Sequence, residues 1–298
     1  MDVESLRLFL RIADLGSVSA AARDVSLSPA SASARLSRLE SLVGFRLFNR
    51  TTRAVSLTTD GADFLPYAQQ ALETLEAGLN EISGQGASAQ GLLRITMPGS
   101  FGRMHIMPTL ARFQARHPLI NLDLRLSDEV LNVVEGAYDL IIRNAPLADS
   151  TLVARKLASD RRLLVASPAY VERYGLPATP DELTQHRCVI LSDYVRWAFE
   201  SGEVVTVPRS VVVNDGEAMR TLIESGLGIG VQSYWIASEQ LRDGRLVQVL
   251  AEHPLETTSA IWALYPSNRI VAPKVRAMID FLIEHFQPVP PWDKEGDQ

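Results

Sequence analysis

Residues 17–53 read SVSAAARDVSLSPASASARLSRLESLVGFRLFNRTTR, and this stretch decides the fold of the N-terminal part of the chain. Its pattern predicts two short helices joined by a tight turn and followed by a basic hairpin. Ser17 can cap the first helix, which runs through the alanines to Val25. Ser28 and Pro29 start the second helix, because the serine hydroxyl accepts a bond from an unpaired amide and proline needs no partner there.

The second helix has two contrasting faces. Apolar side chains recur at helical spacing on one face and should pack into a core: Ala32, Leu36, Leu39 and Val43. The opposite face is small, polar and cationic: Ser31, Ala34, Arg35 and Arg38. Small side chains let a helix enter the major groove of DNA closely, and arginines can hold it on phosphates. A solvated surface face would show the same spacing, so the helix alone leaves both interpretations open.

A basic hairpin should follow this helix. Gly44 ends the helix, and residues 45–57 read as two short strands around a polar turn that carries Arg50 and Arg53. Such a hairpin directly after a candidate recognition helix is typical of a winged helix-turn-helix, whose wing reaches the DNA backbone and minor groove. The alternative is a surface hairpin with solvated arginines.

The charge distribution favours DNA binding by this segment, although the whole chain has a net charge of −6. Residues 35–53 contain five arginines and a single acid, Glu40. Residues 1–60 contain eight arginines, no lysine and six acids, so the rest of the chain carries −8. Positive charge concentrated on one element is what phosphate binding needs, and the acidic remainder should stay off DNA.

Residues 1–60 resemble the N-terminal domain of the LysR-type transcriptional regulators. The ungapped match rests on residues 6–10 (LRLFL), Gly16-Ser17 before two alanines, Ser28-Pro29, Ser33, residues 38–40 (RLE), Gly44, residues 46–48 (RLF), Arg50, and Leu57-Thr58 ahead of Gly61. Residues 49–53 (NRTTR) are similar to the subgroup whose wing carries an Arg-Thr-Thr-Arg element. The chain departs from many members of the family at Pro29 and Ala30. It also has Ala34 directly after Ser33, where many members have an arginine, and this makes Arg35 a candidate substitute for that arginine.

This resemblance implies a winged helix-turn-helix domain over residues 1–59 that binds double-stranded DNA sequence-specifically. The implied DNA contacts are Ser28, Pro29, Ser31, Ser33, Arg35, Arg38, Arg50, Thr51, Thr52 and Arg53.

A long linker helix and hinge should occupy residues 60–91. Thr58 can cap the helix, and a Gly/Ser/Ala/Gln segment from Gly84 to Gly91 ends it. Apolar residues spaced by three and four form a heptad seam along it: Leu65, Ala68, Leu72, Leu75, Leu79 and Ile82. We favour pairing of this seam with a partner helix over packing on its own domain. In the LysR-type family this helix makes the dimer contact, which implies a homodimer or homotetramer.

From Leu92 onwards strands alternate with helices, which predicts an α/β domain with largely parallel sheets. Strands are expected at residues 93–96, 121–126, 138–143, 152–157, 163–166, 187–191 and 261–265. Helices are expected at residues 101–117, 129–135, 217–225 and 271–286.

This order resembles the effector-binding half of the same family, which has two lobes like type 2 periplasmic binding proteins. The resemblance places the effector-binding domain at residues 92–290. Lobe one would comprise residues 92–161 and 266–290, and lobe two residues 162–265. The chain after Phe286 is rich in proline and charge, and residues 291–298 should form a disordered tail.

Composition and motifs argue against an enzyme and against export. The chain has 298 residues, of which 46% are hydrophobic and 21% charged, as in ordinary globular proteins of about two domains. It starts without an apolar leader or membrane span, and Cys188 has no disulfide partner, so we expect a cytoplasmic protein that contacts no membrane. The five histidines are scattered, and no nucleophile elbow or Walker loop is present, so no metal or cofactor is expected.

Residues 226–230 (GLGIG) follow a predicted helix and precede a predicted strand, which is the reverse of the order in a dinucleotide-binding turn. Gly226 is therefore better interpreted as the residue that ends that helix.

A small effector should bind in the cleft between the lobes, near strand ends and helix starts. By the family resemblance the candidate contacts are Gly99, Ser100, Phe101, Asp128, Arg143, Trp197, Asn214 and Asp215. Ser100 can offer a hydroxyl and an amide to a carboxylate, which suits a small organic anion, although Asp128 and Asp215 are themselves acidic. Each residue could instead cap a helix, lie in a solvated loop or fill the core.

Two functions follow from these patterns. The first is a dimeric or tetrameric DNA-binding transcriptional regulator that responds to a small effector. The alternative is a solute-binding or enzymatic α/β protein with an incidental helical N-terminal domain. The arginine-rich stretch at residues 35–53 favours the first.

Overall fold

The computed structural model describes residues 2–50, 55–82, 89–128, 138–146, 152–266 and 271–294. They divide into two units: residues 1–88 form the first, and residues 89–298 the second, apart from the short stretch 268–273, which groups with the first. Within the described residues, no helix combines the length and apolar character needed to cross a membrane.

The first unit starts with three helices, α1 (Val3–Leu15), α2 (Val18–Asp24) and α3 (Pro29–Val43). Both predicted caps are confirmed: Ser17 Oγ accepts a hydrogen bond from the Ala20 amide, and Ser28 Oγ accepts one from the Ser31 amide. Gly44 ends α3 with φ of 87°, a left-handed conformation that favours glycine. On the predicted core face of α3, the buried side chains are Ala32, Leu36 and Leu39. Val43 is partly buried and packs against them.

A hairpin and a long helix complete this unit. Strands β1 (Phe48–Arg50) and β2 (Val55–Leu57) pair antiparallel, which confirms the predicted wing; its tip, residues 51–54, lies outside the described residues. Helix α4 (Thr59–Ile82) follows, and Thr58 Oγ1 accepts the Gly61 amide at 2.9 Å as its predicted cap. A Cβ at Gly61 would overlap the Leu47 carbonyl, so only glycine lets α4 lie this close to the wing.

Lobe one of the second unit contains a five-stranded sheet in the order β4-β3-β5-β14-β6. Its strands are β3 (Gly91–Met97), β4 (Ile120–Leu126), β5 (Leu140–Ala145), β6 (Leu152–Ser159) and β14 (Ala260–Pro266). Between β3 and β4 the chain forms α5 (Gly99–Phe101), a π-helical turn (Gly102–Ile106), a 3-10 turn (Met107–Thr109) and α6 (Leu110–Arg116). The predicted helix at residues 129–135 lies outside the described residues.

The predicted lobe boundary at residue 266 is wrong. Strand β14 pairs with β5 and β6 and therefore belongs to lobe one, so the chain returns from lobe two before Ala260 rather than after it. The first crossing is as predicted, between β6 and β7 (Arg162–Ala166). The expectation of largely parallel sheets also needs correction. β3 runs parallel to β4 and β5, but β14 enters the sheet antiparallel because it comes back from the other lobe.

Lobe two packs shorter strands and helices around its own core. Its main sheet has the antiparallel order β12-β7-β13, and smaller pairs are β8 with β11 and β9 with β10. The strands are β8 (Val189–Leu191), β9 (Arg196–Ala198), β10 (Val204–Thr206), β11 (Val211–Val213), β12 (Gly230–Ser233) and β13 (Val247–Val249). The helices are α7 (Pro168–Tyr174), α8 (Gly216–Glu224) and α9 (Tyr234–Arg242), with a 3-10 segment at Pro180–Gln185. Gly226 has φ of 82° just after α8, as predicted.

The C-terminal segment corrects another expectation. After α10 (Pro273–Phe286) the chain forms a 3-10 turn at Pro291–Asp293, where disorder was predicted. Trp292 is only 5% exposed and its ring packs against Phe101, His105 and Phe286. A large aromatic side chain can order a proline-rich tail when it finds a pocket, and composition alone does not reveal that pocket. Residues 295–298 lie outside the described residues.

Candidate DNA interface and effector cleft

Helix α3 presents a narrow, mostly small-residue face to solvent. Residues exposed on or just before α3 include Ser28, Pro29, Ala30, Ser31, Ala34, Ser37, Arg38 and Ser41. Ser28 and Ser31 also share a hydroxyl–hydroxyl hydrogen bond of 2.8 Å, which fixes both side chains at the start of the helix. Sequence reasoning left Ala30 and Ser37 out of the candidate contacts, although helical periodicity from Ala34 and Arg38 could have found them.

The two arginines of α3 have different surroundings. Arg38 is exposed, whereas Arg35 and Ser33 are half-buried. Arg35 is one of several groups that lower the pKa of Asp2, after the hydrogen bonds from Ser5. Arg38 is therefore the more accessible of the two cations, which shifts emphasis within the predicted set from Arg35 to Arg38.

The acid within the basic stretch positions the wing. Glu40 Oε1 accepts hydrogen bonds from the backbone amides of Leu47 at 2.8 Å and Phe48 at 3.3 Å. Thr58 Oγ1 also donates to the Arg46 carbonyl at 2.6 Å, which holds the other end of the hairpin. The wing base is thus fixed to α3 and α4, and the exposed Arg46 lies at that base. Of the predicted wing contacts, Thr51, Thr52 and Arg53 lie outside the described residues, as does the side chain of Arg50.

The heptad seam of α4 divides into two parts. For its first half, the prediction that the seam pairs with a partner helix is wrong. Ala68 and Leu72 are buried in the core of their own unit, and Leu65 packs against that core. Leu75 and Leu79 are 40% and 58% exposed. The first half faces inward because α4 covers α1 and the wing before it extends beyond them. The side chain of Ile82 lies outside the described residues.

A cleft of about 250 Å³ lies within the second unit, between its lobes. Its polar lining consists of Ser100, Asp128, Asn144, Arg162, Tyr194, Gln232 and Ser233. Its apolar lining includes Val189, Leu191, Trp197, Met219, Val231, Trp235 and Ile236. A few polar groups set in a largely apolar wall are typical of a small-molecule site.

The start of α5 is already occupied by a carboxylate of the chain. The Gly99 amide donates to Asp128 Oδ2 at 3.2 Å. The sequence predicted a ligand anion at this position. Desolvation raises the pKa of Asp128, although the hydrogen bond from Gly99 opposes it. Asp128 lines the cleft as predicted, and its carboxylate also accepts the amide at the start of α5.

The start of α8 is closed by groups from both lobes. Asp215 caps the helix by accepting the Ala218 amide, and Ser100 Oγ from lobe one accepts the Glu217 amide at 3.1 Å. Arg103 of lobe one donates to Asp215 at 2.7 Å and to Glu217 at 2.6 Å. Desolvation alone would raise the pKa of Asp215, but the bonds from Ala218 and Arg103 leave it lowered. These contacts bridge the cleft at one side.

Only part of the predicted effector set lines the cleft: Ser100, Asp128 and Trp197. Phe101 is fully buried in an aromatic cluster with His105 and Trp235. Arg143 is half-buried, and desolvation lowers its pKa. Asn214 is exposed and lies outside the lining, and Gly99 acts through its bond to Asp128. Phe101, Arg143, Asn214 and Asp215 lie close in sequence to lining residues but are not part of the lining themselves.

Sequence reasoning missed the polar groups that lobe two contributes. Arg162 begins β7, and its Nε donates to the buried carboxylate of Asp160 at 3.2 Å. Ser233 donates to the same Oδ2 atom and lies 3.4 Å from the Asn144 amide across the cleft. The Oδ1 atom of Asn144 is buried without a hydrogen-bond partner among the described residues. An arginine directly after the lobe crossing was the available signal, since crossings border the cleft.

The described residues contain no cluster of three or more His, Cys, Asp or Glu side chains that could hold a metal. Cys188 is buried, and desolvation raises the pKa of its thiol to about 12. The thiolate that redox chemistry requires is therefore scarce, and its burial gives this cysteine a packing role.

Two family models match the chain. The model described as "Bacterial regulatory helix-turn-helix protein, lysR family" matches residues 3–62, and the "LysR substrate binding domain" matches residues 86–287. An HTH-type transcriptional regulator of Xanthomonas campestris pv. campestris is 35% identical, with 95% of this chain and 85% of the relative covered. The regulator CrgA of Neisseria meningitidis serogroup C is 32% identical, with 95% and 96% covered.

Solved structures give the same result. The structure of CrgA from Neisseria meningitidis matches with a TM-score of 0.62 at 31% identity and covers 95% of this chain and 98% of its own. Full-length AphB of Vibrio cholerae matches with a TM-score of 0.59 at 30% identity and covers 96% and 99%. A DNA-binding helix-turn-helix domain is thus joined to a domain that binds a small effector, and the protein is a transcriptional regulator. The chain belongs to the LysR family of bacterial helix-turn-helix regulators.

Proposed function

We propose that α3 enters the major groove of double-stranded DNA while the wing contacts the adjacent backbone. The observation that carries this proposal is the exposed face of α3, where Ala30, Ala34 and Arg38 leave room for close approach and supply a cation. Glu40 supports it by fixing the base of the wing beside the helix. The predicted contacts at Arg50, Thr51, Thr52 and Arg53 belong to the same proposal.

We further propose that two chains pair through the second half of α4, around Leu75 and Leu79. Exposed leucines on a helix that continues beyond its own core suit burial against a symmetry mate. A dimer would present two copies of α3 to a two-fold symmetric site, and a tetramer would join two such dimers.

The effector, in this proposal, is a small organic acid whose carboxylate binds at Arg162. Nε of Arg162 is engaged by Asp160, and its two Nη groups make no hydrogen bond within the part of the chain that the structure describes. Ser233 and Asn144 lie beside it and can add hydrogen bonds. The starts of α5 and α8 are less suitable, because Asp128, Asp215 and Ser100 already occupy them.

The protein would act in the cytoplasm, where bacterial DNA is accessible, and not as an enzyme. Relatives over nearly its whole length are named transcriptional regulators, which supports this assignment.

Fluorescence anisotropy with labelled DNA from upstream of the protein's own gene tests the DNA interface. Arg50→Ala with Arg53→Ala should weaken binding to every sequence, and each lost phosphate contact should reduce the log–log salt slope by about 0.9. Arg116→Ala with Arg125→Ala is the matched control, because it removes the same charge from exposed positions of the second unit. An unchanged slope in a folded Arg50/Arg53 variant would contradict the role of the wing.

Arg38→Ala tests α3 in the same assay. If Arg38 reads a base with two hydrogen bonds, discrimination at one symmetric pair of base positions should fall by about 1–3 kcal/mol per half-site. Arg35→Ala is the comparison, and a larger loss for Arg35 than for Arg38 would overturn the emphasis on the more exposed arginine.

A further inference from the structure

The cleft carries one charge of each sign. Of the described residues that line it, only Asp128 and Arg162 are charged, and they come from opposite lobes. The remaining polar lining is neutral, and much of the wall is apolar. A ligand that fills this space therefore meets a cation from one side and an anion from the other, which a plain carboxylic acid satisfies only in part.

Asp128 retains unused hydrogen-bonding capacity. Its Oδ2 atom accepts the Gly99 amide at 3.2 Å, while Oδ1 makes no hydrogen bond within the part of the chain that the structure describes. Arg103 donates its hydrogen bonds to Asp215 and Glu217, and Arg103 and Arg143 act on Asp128 through their charges without a hydrogen bond to it. Desolvation raises the pKa of Asp128 and the charge of Asp215 adds to this shift, whereas the Gly99 bond and the charges of Arg143 and Arg103 oppose it. Asp128 is exposed, so a donor group on the ligand can reach its Oδ1 atom.

The apolar wall restricts the body of the ligand. Leu191, Trp197 and Met219 line the lobe-two side, and the cleft has a volume of about 250 Å³. Trp197 is fixed because its indole N–H donates to the Tyr194 carbonyl at 3.1 Å, so the ring offers a rigid apolar surface. A short hydrocarbon body fits this wall better than a second carboxylate, which Asp128 would repel.

We propose that the effector is a small carboxylic acid with a hydrocarbon body and a second group, ammonium or hydroxyl, that donates a hydrogen bond to Asp128. Its carboxylate lies at Arg162, its body against Trp197 and Leu191, and its donor at Oδ1 of Asp128. This inference rests on the proposed anion site at Arg162. It adds the requirement for a donor, which divides organic acids into binding and non-binding classes.

Two matched series of probes test the requirement on the full chain by isothermal titration and thermal shift. One series is hexanoate, 6-aminohexanoate and 6-hydroxyhexanoate; the other is 4-methylpentanoate, leucine and 2-hydroxy-4-methylpentanoate. In at least one series the substituted acids should bind ten-fold or more tightly than the parent acid, because a hydrogen bond to a charged acceptor is stronger than one between neutral groups. Equal or weaker binding of the substituted acids in both series would overturn the inference while leaving the anion site intact.

Variants identify the partners of the two ligand groups. Asp128→Asn should remove the advantage of the amino acids but keep most of that of the hydroxy acids, since the amide oxygen still accepts a hydrogen bond. Arg162→Gln should weaken every acid in both series, and Glu252→Gln, an exposed acid of lobe two, should change nothing. Donor selectivity that survives Asp128→Asn for the amino acids would overturn the role of Asp128. Binding that Arg162→Gln leaves unchanged, or no binding by any probe, would overturn the proposed anion site and this inference together.

Discussion

His105 should make the effector-binding domain less stable as the pH falls below 7. The imidazole lies among the rings of Phe101, Trp235 and Trp292, and its Nε2 donates to the Trp235 carbonyl at 3.0 Å. Desolvation lowers its pKa from 6.5 to about 4; the Trp235 bond opposes this shift, and His285 nearby adds to it. The folded protein therefore keeps this histidine neutral where the unfolded chain would already be protonated.

The sign and size of the effect follow from proton linkage. Between pH 6.5 and pH 4 the unfolded state binds one more proton at this position, so stability is full above pH 6.5 and falls as the pH decreases. The slope approaches about 1.4 kcal/mol per pH unit. Between pH 7.5 and pH 5 the loss should be about 2 kcal/mol, a substantial fraction of the stability of a typical domain.

Urea unfolding at pH 7.5 and pH 5, followed by tryptophan fluorescence, measures the loss in the native protein and in His105→Gln. The glutamine keeps a donor for the Trp235 carbonyl but does not titrate, so the variant should lose about 2 kcal/mol less over this range. Other groups, including Asp128, contribute equally to both proteins and cancel in the comparison. An identical pH dependence in the two proteins would refute the argument, because it would mean that the aromatic rings accommodate the imidazolium without cost.

Three further changes should each act through a single contact. Leu75→Asp should drive a fragment of residues 1–82 from dimer to monomer in sedimentation at tens of micromolar, because burial of a leucine contributes about 1.5–3 kcal/mol; a native fragment that sediments as a monomer would contradict the proposed interface. Gly61→Ala should lower the melting temperature and weaken DNA binding, since its Cβ overlaps the Leu47 carbonyl, and an unaffected variant would show that the wing can move aside at no cost. Trp292→Ala should destabilise the second unit by about 3–5 kcal/mol in urea unfolding, and a loss below about 1 kcal/mol would mean that the tail contributes little.

The N-terminal domain could be predicted almost completely from sequence, because its signals are local. Ser17, Ser28 and Gly44 determine where helices begin and end through bonds to residues at most four positions away. The apolar spacing of α3 selects the buried face in the same way. The two outcomes for the α4 seam could not be separated by spacing, since the pattern is the same whether a leucine packs on its own domain or on a partner.

The cleft was predicted in position but only partly in composition. Ser100, Asp128 and Trp197 were found because strand ends and helix starts border such clefts. Arg162 and Ser233 were missed. Ser233 contacts Asp160 and Asn144, which lie 73 and 89 positions away in sequence, and Arg162 bonds Asp160 only two positions away but lines the cleft through the fold of lobe two. The strand β14 was assigned to the wrong lobe for a related reason, because a sequence does not state which sheet a returning strand joins.

The sequence by itself therefore determined the family, the helix-turn-helix and its caps, the wing, the two-lobe domain and the position of the cleft between the lobes. These features depend on hydrogen bonds and periodicities that act within a few residues, so they can be read in order along the chain. Only the tertiary structure decided that Asp128 fills the start of α5, that Ser100 and Arg103 bridge to α8, that Leu72 is buried while Leu79 is exposed, and that Trp292 orders the tail. Each of these contacts joins residues that are far apart in sequence. Which distant side chain occupies a given donor or pocket is decided by the packing of the complete domain.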